Sequence, residues 1–138
     1  MSKPSKLDPK SITPRTATVY PPEFAGAVKG REKRALGDFF GLTQYGVNLT
    51  TLAPGAWSSH RHWHENEDEF VFVLEGEITL IDEAGEHLLT AGMCAGFKAG
   101  VANGHHLANK SKAAASYLEI GTRAALERAH YPDVDMLF

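Results

Sequence analysis

The sequence predicts an all-β domain, a sandwich or barrel of short strands, on three observations. From Phe39 onward, runs of strand length follow one another with turn residues between them, and no long segment of helical period survives. The run Glu69 to Leu74 is apolar on both faces apart from Glu69 itself. Val71 and Val73 lie on the glutamate's side with Phe70, Phe72 and Leu74 opposite, so a second sheet or a second subunit must cover each face. Just upstream, His60, His62 and His64 alternate with Arg61 and Trp63, an arrangement that puts all three imidazoles on one face of an extended strand.

Taken in order, residues 1 to about 22 carry Pro4, Pro9, Pro14, Pro21 and Pro22 among polar residues, which resists helix and favours an extended arm. Its alternating tract, Ser11 to Tyr20, is suited to adding a strand to this chain's own sheet or to a partner's, and the prolines, which suit an edge, favour the partner's. Residues 23–38 are broken by Gly26, Gly30 and Gly37, and the basic run Lys29 to Arg34 reads as a solvated loop. The expected strands are 42–52, 57–64, 69–75, 77–82, 86–90, 94–98, 105–109 and 115–121, separated by turn signals such as Pro54-Gly55, Glu75-Gly76 and Asn103-Gly104. The polar tetrapeptide Glu65 to Asp68 is expected to reverse the chain and lay Glu69 beside the histidine strand. After Gly121, TRAALERAH reads as a short helix, and YPDVDMLF as an extended tail whose Met136, Leu137 and Phe138 suit docking on a neighbouring surface. The division is thus an arm and irregular segment (1–38), a β-barrel (39–122) and a tail (123–138).

Composition narrows the function. A chain of 138 residues is long enough for one domain with a substantial core. Net charge is −3 and basic residues are scattered, so the electrostatic footprint of a nucleic-acid binder is missing. No stretch has the length or apolarity of a signal peptide or a membrane span, and with one cysteine this points to a cytoplasmic protein. Cys94, between Met93 and Ala95, reads as a small buried side chain.

Imidazole nitrogens joined by a carboxylate oxygen form a transition-metal donor set. His62-Trp63-His64, four residues, Glu69, six residues and Gly76 resemble the first motif of the cupin superfamily, with Gly55 upstream. That spacing selects His62 and His64, because a motif begun at His60 would place the glutamate too far away. Gly92, Lys98-Ala99-Gly100, His105 and Asn109 resemble the second motif, with Lys98 in place of proline and a longer gap before the histidine. The spacing to Asn109 favours His105 over His106, which then points outward.

The resemblance implies a double-stranded β-helix, or jelly-roll, barrel holding one divalent transition metal (Zn, Fe, Mn, Ni, Co or Cu) on His62, His64, Glu69 and His105. It implies a small-molecule substrate and a metal-dependent enzyme acting on a small oxygen-rich molecule, as a dioxygenase-like oxidoreductase or an isomerase, while the arm, the apolar tail and the run that is apolar on both faces point to a homodimer. The alternative is a non-catalytic binding or sensor module. His60, left over from ligation, is the candidate catalytic base, and a residue at the pocket rim is the competing role for it.

Overall fold

The computed structural model describes residues 5–136. Strand β1 (Arg31–Ala35) is followed by β2 (Tyr45–Leu52), the short β3 (Trp63–His64), β4 (Glu69–Glu75), β5 (Glu77–Asp82), β6 (Gly85–Thr90), β7 (Cys94–Phe97), β8 (His106–Ala108), β9 (Ala115–Thr122) and β10 (Ala129–His130). One sheet has the order β1-β2-β9-β4-β7, a second the order β6-β5-β8, and β10 pairs with β3, all antiparallel. Leu52, Val71, Val73 and Tyr117 from the five-stranded sheet pack against Ile78, Leu80, Leu89 and Leu107 from the three-stranded sheet. Two antiparallel sheets packed face to face make an all-β jelly roll, the architecture expected from the sequence. Among the described residues, no helix is long and apolar enough to cross a membrane.

Gly76 is the whole connection between β4 and β5, and so carries the chain from one sheet to the other. Its φ of +78° lies in the left-handed region, and a Cβ there would stand 2.9 Å from Ala115 Cβ and 3.0 Å from Ala114 O. Conformation and space both require glycine.

Several expectations are corrected. The expected strand 57–64 is not continuous: residues 58–61 bend, leaving only bridge pairs at Trp57 and His62 before β3. The acidic tetrapeptide does not make a hairpin either, because β4 pairs with β9 and β7 while β3 pairs with β10. The basic run is not a solvated loop but the edge strand β1, with Lys33 opposite Thr50 and Arg31 opposite Leu52. The arm docks on its own chain, where Arg15 and Lys33 exchange backbone hydrogen bonds of 2.7 and 2.9 Å. No helix forms over 122–130, because that backbone is engaged elsewhere: Glu65 N donates to Arg128 O, Ala124 N donates to Glu67 Oε2, and β10 pairs with β3. Met136 is half-buried, and the expected docking of Leu137 and Phe138 lies outside the described residues.

Only one face of β4 is covered. Val71 and Val73 are buried, whereas Phe70, Phe72 and Leu74 remain 36–41% exposed. Cys94, opposite Phe72, is exposed on that same outer face rather than buried.

Candidate metal centre

His62 and His105 face each other in an antiparallel bridge, exchanging backbone hydrogen bonds of 3.0 and 2.9 Å, so strand pairing sets their side chains together. His64 lies two residues beyond His62, on β3. Glu69 opens β4 opposite Gly121 of β9, where a Cβ would stand 3.3 Å from Asp68 O, so glycine lets the two strands approach closely at the carboxylate's root. Phe97 stacks on the His105 ring with centroids 3.5 Å apart and planes 4° apart, fixing its orientation.

The three imidazoles converge on one oxygen. Glu69 Oε1 lies 2.9 Å from His105 Nε2, 3.2 Å from His64 Nε2 and 3.5 Å from His62 Nε2. The opposite ring nitrogens of two of these histidines are engaged by backbone: His62 Nδ1 donates to His60 O, and His105 Nδ1 donates to Asn103 O, each at 2.9 Å. A proton fixed at Nδ1 leaves the Nε2 lone pair directed inward. These two lone pairs, with His64 Nε2 only 3.2 Å from the same carboxylate oxygen, are repelled by it unless a positive charge lies between them, and a divalent cation supplies it. Protonation is the other resolution, and the shifts follow it. Burial pulls His62 down, but hydrogen bonding and charge from Glu69 outweigh burial and raise its pKa. Burial would raise Glu69, yet its bonds to His105 and His62 hold it far below the usual carboxylate range. The donor set therefore fits a borderline divalent metal.

A cavity of about 490 Å³ opens on one side of the cluster, with Arg31, Lys33, Asn48, Glu119, Tyr20 and Tyr131 among its walls. A second cavity of about 240 Å³, walled by Trp63, Lys98, Val101 and Asn103, shares His64, Glu69, Phe97 and His105 with the first. The cluster thus stands between two openings. Glu119 is paired with Val71 on the inner face of the sheet, a diagonal step from Glu69, roughly 7–8 Å at the backbone. Its Oε1 accepts from Lys33 Nζ (3.3 Å) and Asn48 Nδ2 (3.1 Å). Arg31 reaches across the cavity and donates to Ser58 O at 2.6 Å, with no carboxylate within ion-pair distance among the described residues.

His60 is placed differently from its neighbours in sequence. The bend at 58–61 turns it off the ligand face, and it lines neither cavity. Its Nε2 lies 2.7 Å from Phe24 O, its backbone N donates to Tyr20 Oη, and its ring meets Tyr20, Phe24 and Trp57 edge-on. His106 does not point to solvent: it is 6% exposed and stacks on Trp57. His130 is partnered as well, by Glu65 and by the Trp63 ring 4.2 Å away.

Sequence reasoning missed Arg31, Lys33, Glu119 and Tyr131. For Glu119 a signal existed. It alternates with Tyr117 and Gly121 on the strand face that carries the core, where a charge needs a reason. Tyr131 had no such signal, because the tail's path is set by contacts distant in sequence.

Residues 48–121 match the family model of the cupin domain. A crystal structure of a protein from Silicibacter pomeroyi, described as a sugar phosphate isomerase from a cupin superfamily, superposes with a TM-score of 0.93 at 49% identity, covering 96% of this chain and 84% of that one. A protein from Acidithiobacillus ferrooxidans, described provisionally as a sugar phosphate isomerase, gives a TM-score of 0.72 at 32% identity, covering 75% of this chain and 65% of that one. A polyketide cyclase from Streptomyces resistomycificus shares the fold at 13% identity, with a TM-score of 0.77 over 96% of this chain and 88% of its own. No curated protein sequence matches the chain.

Proposed function

Because the chain belongs to the cupin superfamily, we propose that it is a metal-dependent isomerase of a small phosphorylated sugar, with His62, His64, Glu69 and His105 as the metal ligands. The observation that carries the reading is the convergence of three imidazole Nε2 atoms on Glu69 Oε1 at the wall of a polar cavity. The likeness to the Silicibacter pomeroyi protein supports the substrate class. A divalent metal bound there supplies electrophilic polarisation of a carbonyl or hydroxyl oxygen.

The chain's own residues supply the rest. Isomerisation takes a proton from the carbon beside a carbonyl and returns it to the neighbouring carbon, so it needs a base within reach of the held substrate. Glu119 fills that role: Lys33 and Asn48 both bind Oε1, which orients the carboxylate and leaves Oε2 to accept and return the proton. Arg31 offers unpaired guanidinium N–H groups to an anionic substituent, and a guanidinium fork suits a phosphate. His60 receives no support as the base, since Phe24 O and three aromatic rings occupy its ring. The uncovered outer face of β4 supports a homodimer formed through that face.

The test is to incubate metal-loaded protein with aldose and ketose phosphates in D₂O and follow interconversion and deuterium incorporation by NMR, with a dioxygen electrode in parallel. Interconversion without dioxygen uptake is expected, and Glu119→Gln should slow it about 10²–10⁴-fold with metal content unchanged. Dioxygen consumption would point to an oxidoreductase, and binding without turnover to a sensor.

A further inference from the structure

We propose that Glu127, with Glu67 beside it, is a positioning residue for His64: its carboxylate accepts the Nδ1 proton and so directs Nε2 into the metal centre. The inference rests on the metal centre proposed above and extends it to the tail of the chain. The three histidines are unequal. His62 and His105 each place Nδ1 against a backbone carbonyl at 2.9 Å, whereas His64 Nδ1 is sealed from solvent and has no hydrogen-bond partner. The acceptors facing it are Glu127 Oε1 at 3.5 Å and Glu67 Oε1 at 3.7 Å.

An imidazole that ligates through Nε2 carries its proton on Nδ1, and a buried N–H left unpaired costs about 1–3 kcal/mol. A ring shift of about 0.5 Å brings Nδ1 within hydrogen-bond distance of Glu127. The carboxylates themselves are held. Glu127 Oε1 accepts from Glu65 N at 2.9 Å, Glu127 Oε2 accepts from Asn66 N at 3.1 Å, and Glu67 Oε2 accepts from Ala124 N at 3.0 Å. Residues 65–67 and 124–127 therefore bind each other, and what they enclose is His64. A charged acceptor does more than orient the ring: it raises the basicity of the ligating nitrogen. Glu127 lies beyond residues 48–121, so the tail contributes to the centre from outside the matched barrel.

The experiment measures Zn²⁺ affinity by chelator competition for the wild type, Glu127→Gln, Glu67→Gln, the double variant and Glu127→Asp. NMR of the imidazole groups follows the His64 Nδ1 proton in the zinc-loaded proteins. Glutamine keeps an oxygen acceptor for Glu65 N, and thermal melts of the metal-free variants check that the fold persists. Glu127→Gln should weaken Zn²⁺ binding about 10–100-fold and shift the His64 Nδ1 proton resonance. Glu127→Asp should restore part of the affinity, which loss of a merely structural contact would not predict. Zinc affinity within twofold of wild type in the double variant, with the His64 resonance unmoved, would overturn the assignment. Uptake of two Zn²⁺ per chain would also overturn it, by making His64, Glu67 and Glu127 a separate cation site. A wild type that takes up no Zn²⁺ would defeat the metal centre itself, a result distinct from failure of Glu127 alone.

Discussion

His106 should make the metal-free protein acid-sensitive, by an amount the structure sets. The ring is 6% exposed, stacks on Trp57 at 4.6 Å and 24°, and neither of its nitrogens has a partner. Burial, followed by the positive potential of His60 and Arg61, pushes its pKa from 6.5 down to about 4. The unfolded chain thus binds a proton at this site between pH 6.5 and pH 4 that the folded chain refuses. Stability is full above pH 6.5, falls as pH drops to about 4, and stops falling below that. At about 1.4 kcal/mol per pKa unit the whole effect is about 3 kcal/mol, most of it present by pH 4.5. His106→Phe keeps an aromatic ring against Trp57 and removes the titration. Urea unfolding of chelator-treated protein at pH 7 and pH 4.5 should therefore show the wild type losing about 2–3 kcal/mol more than the variant. Carboxylates that titrate in the same range are common to both proteins and cancel. Equal losses would refute the reasoning.

Gly76→Ala should lower stability by several kcal/mol, about 2–4 on the scale of strained and overpacked substitutions, because the new Cβ meets Ala115 and the Ala114 carbonyl; denaturant melts check this. His60→Ala should destabilise the contact between the arm and the barrel, seen as earlier proteolysis before residue 30, and leave isomerase turnover within about threefold. Phe72→Glu should convert the proposed homodimer to a monomer in sedimentation analysis without unfolding the barrel, since Phe72 lies on the outer face. Zn²⁺ affinity, measured by chelator competition across a pH series, should already be falling before the pH has dropped to 6.5, because Glu69 raises the pKa of His62 above its ordinary value and the ion must displace that proton.

The parts of this molecule legible in its sequence are those governed by local period and spacing. Strands β4 and β5 fall where alternation and turn residues put them, and Gly76 marks the crossing between the sheets. The spacing that singles out His62, His64, Glu69 and His105 picks four side chains that the fold brings within a few ångströms of one another, even though Glu69 arrives from a different strand pairing than the hairpin expected of it. His60 escaped because strand alternation holds only for a regular strand, and in the bend at 58–61 its partners are Tyr20 and Phe24, some forty residues upstream. The edge strand β1 was hidden by its charge. Arg31 and Lys33 face a polar cavity, so the apolar alternation that betrays other strands is missing. Glu127 and Tyr131 were hidden for a related reason, since the tail is held by amide donors and by β3 rather than by any period of its own.

The central claim is that these four side chains form one metal centre, and metal stoichiometry tests it most directly. Protein stripped with chelator, reloaded with Zn²⁺ and freed of excess metal should carry one ion per chain by elemental analysis, and Glu69→Gln or His105→Ala should carry a small fraction of that. A wild type that retains no stoichiometric ion, or variants that retain as much as the wild type, would contradict the account.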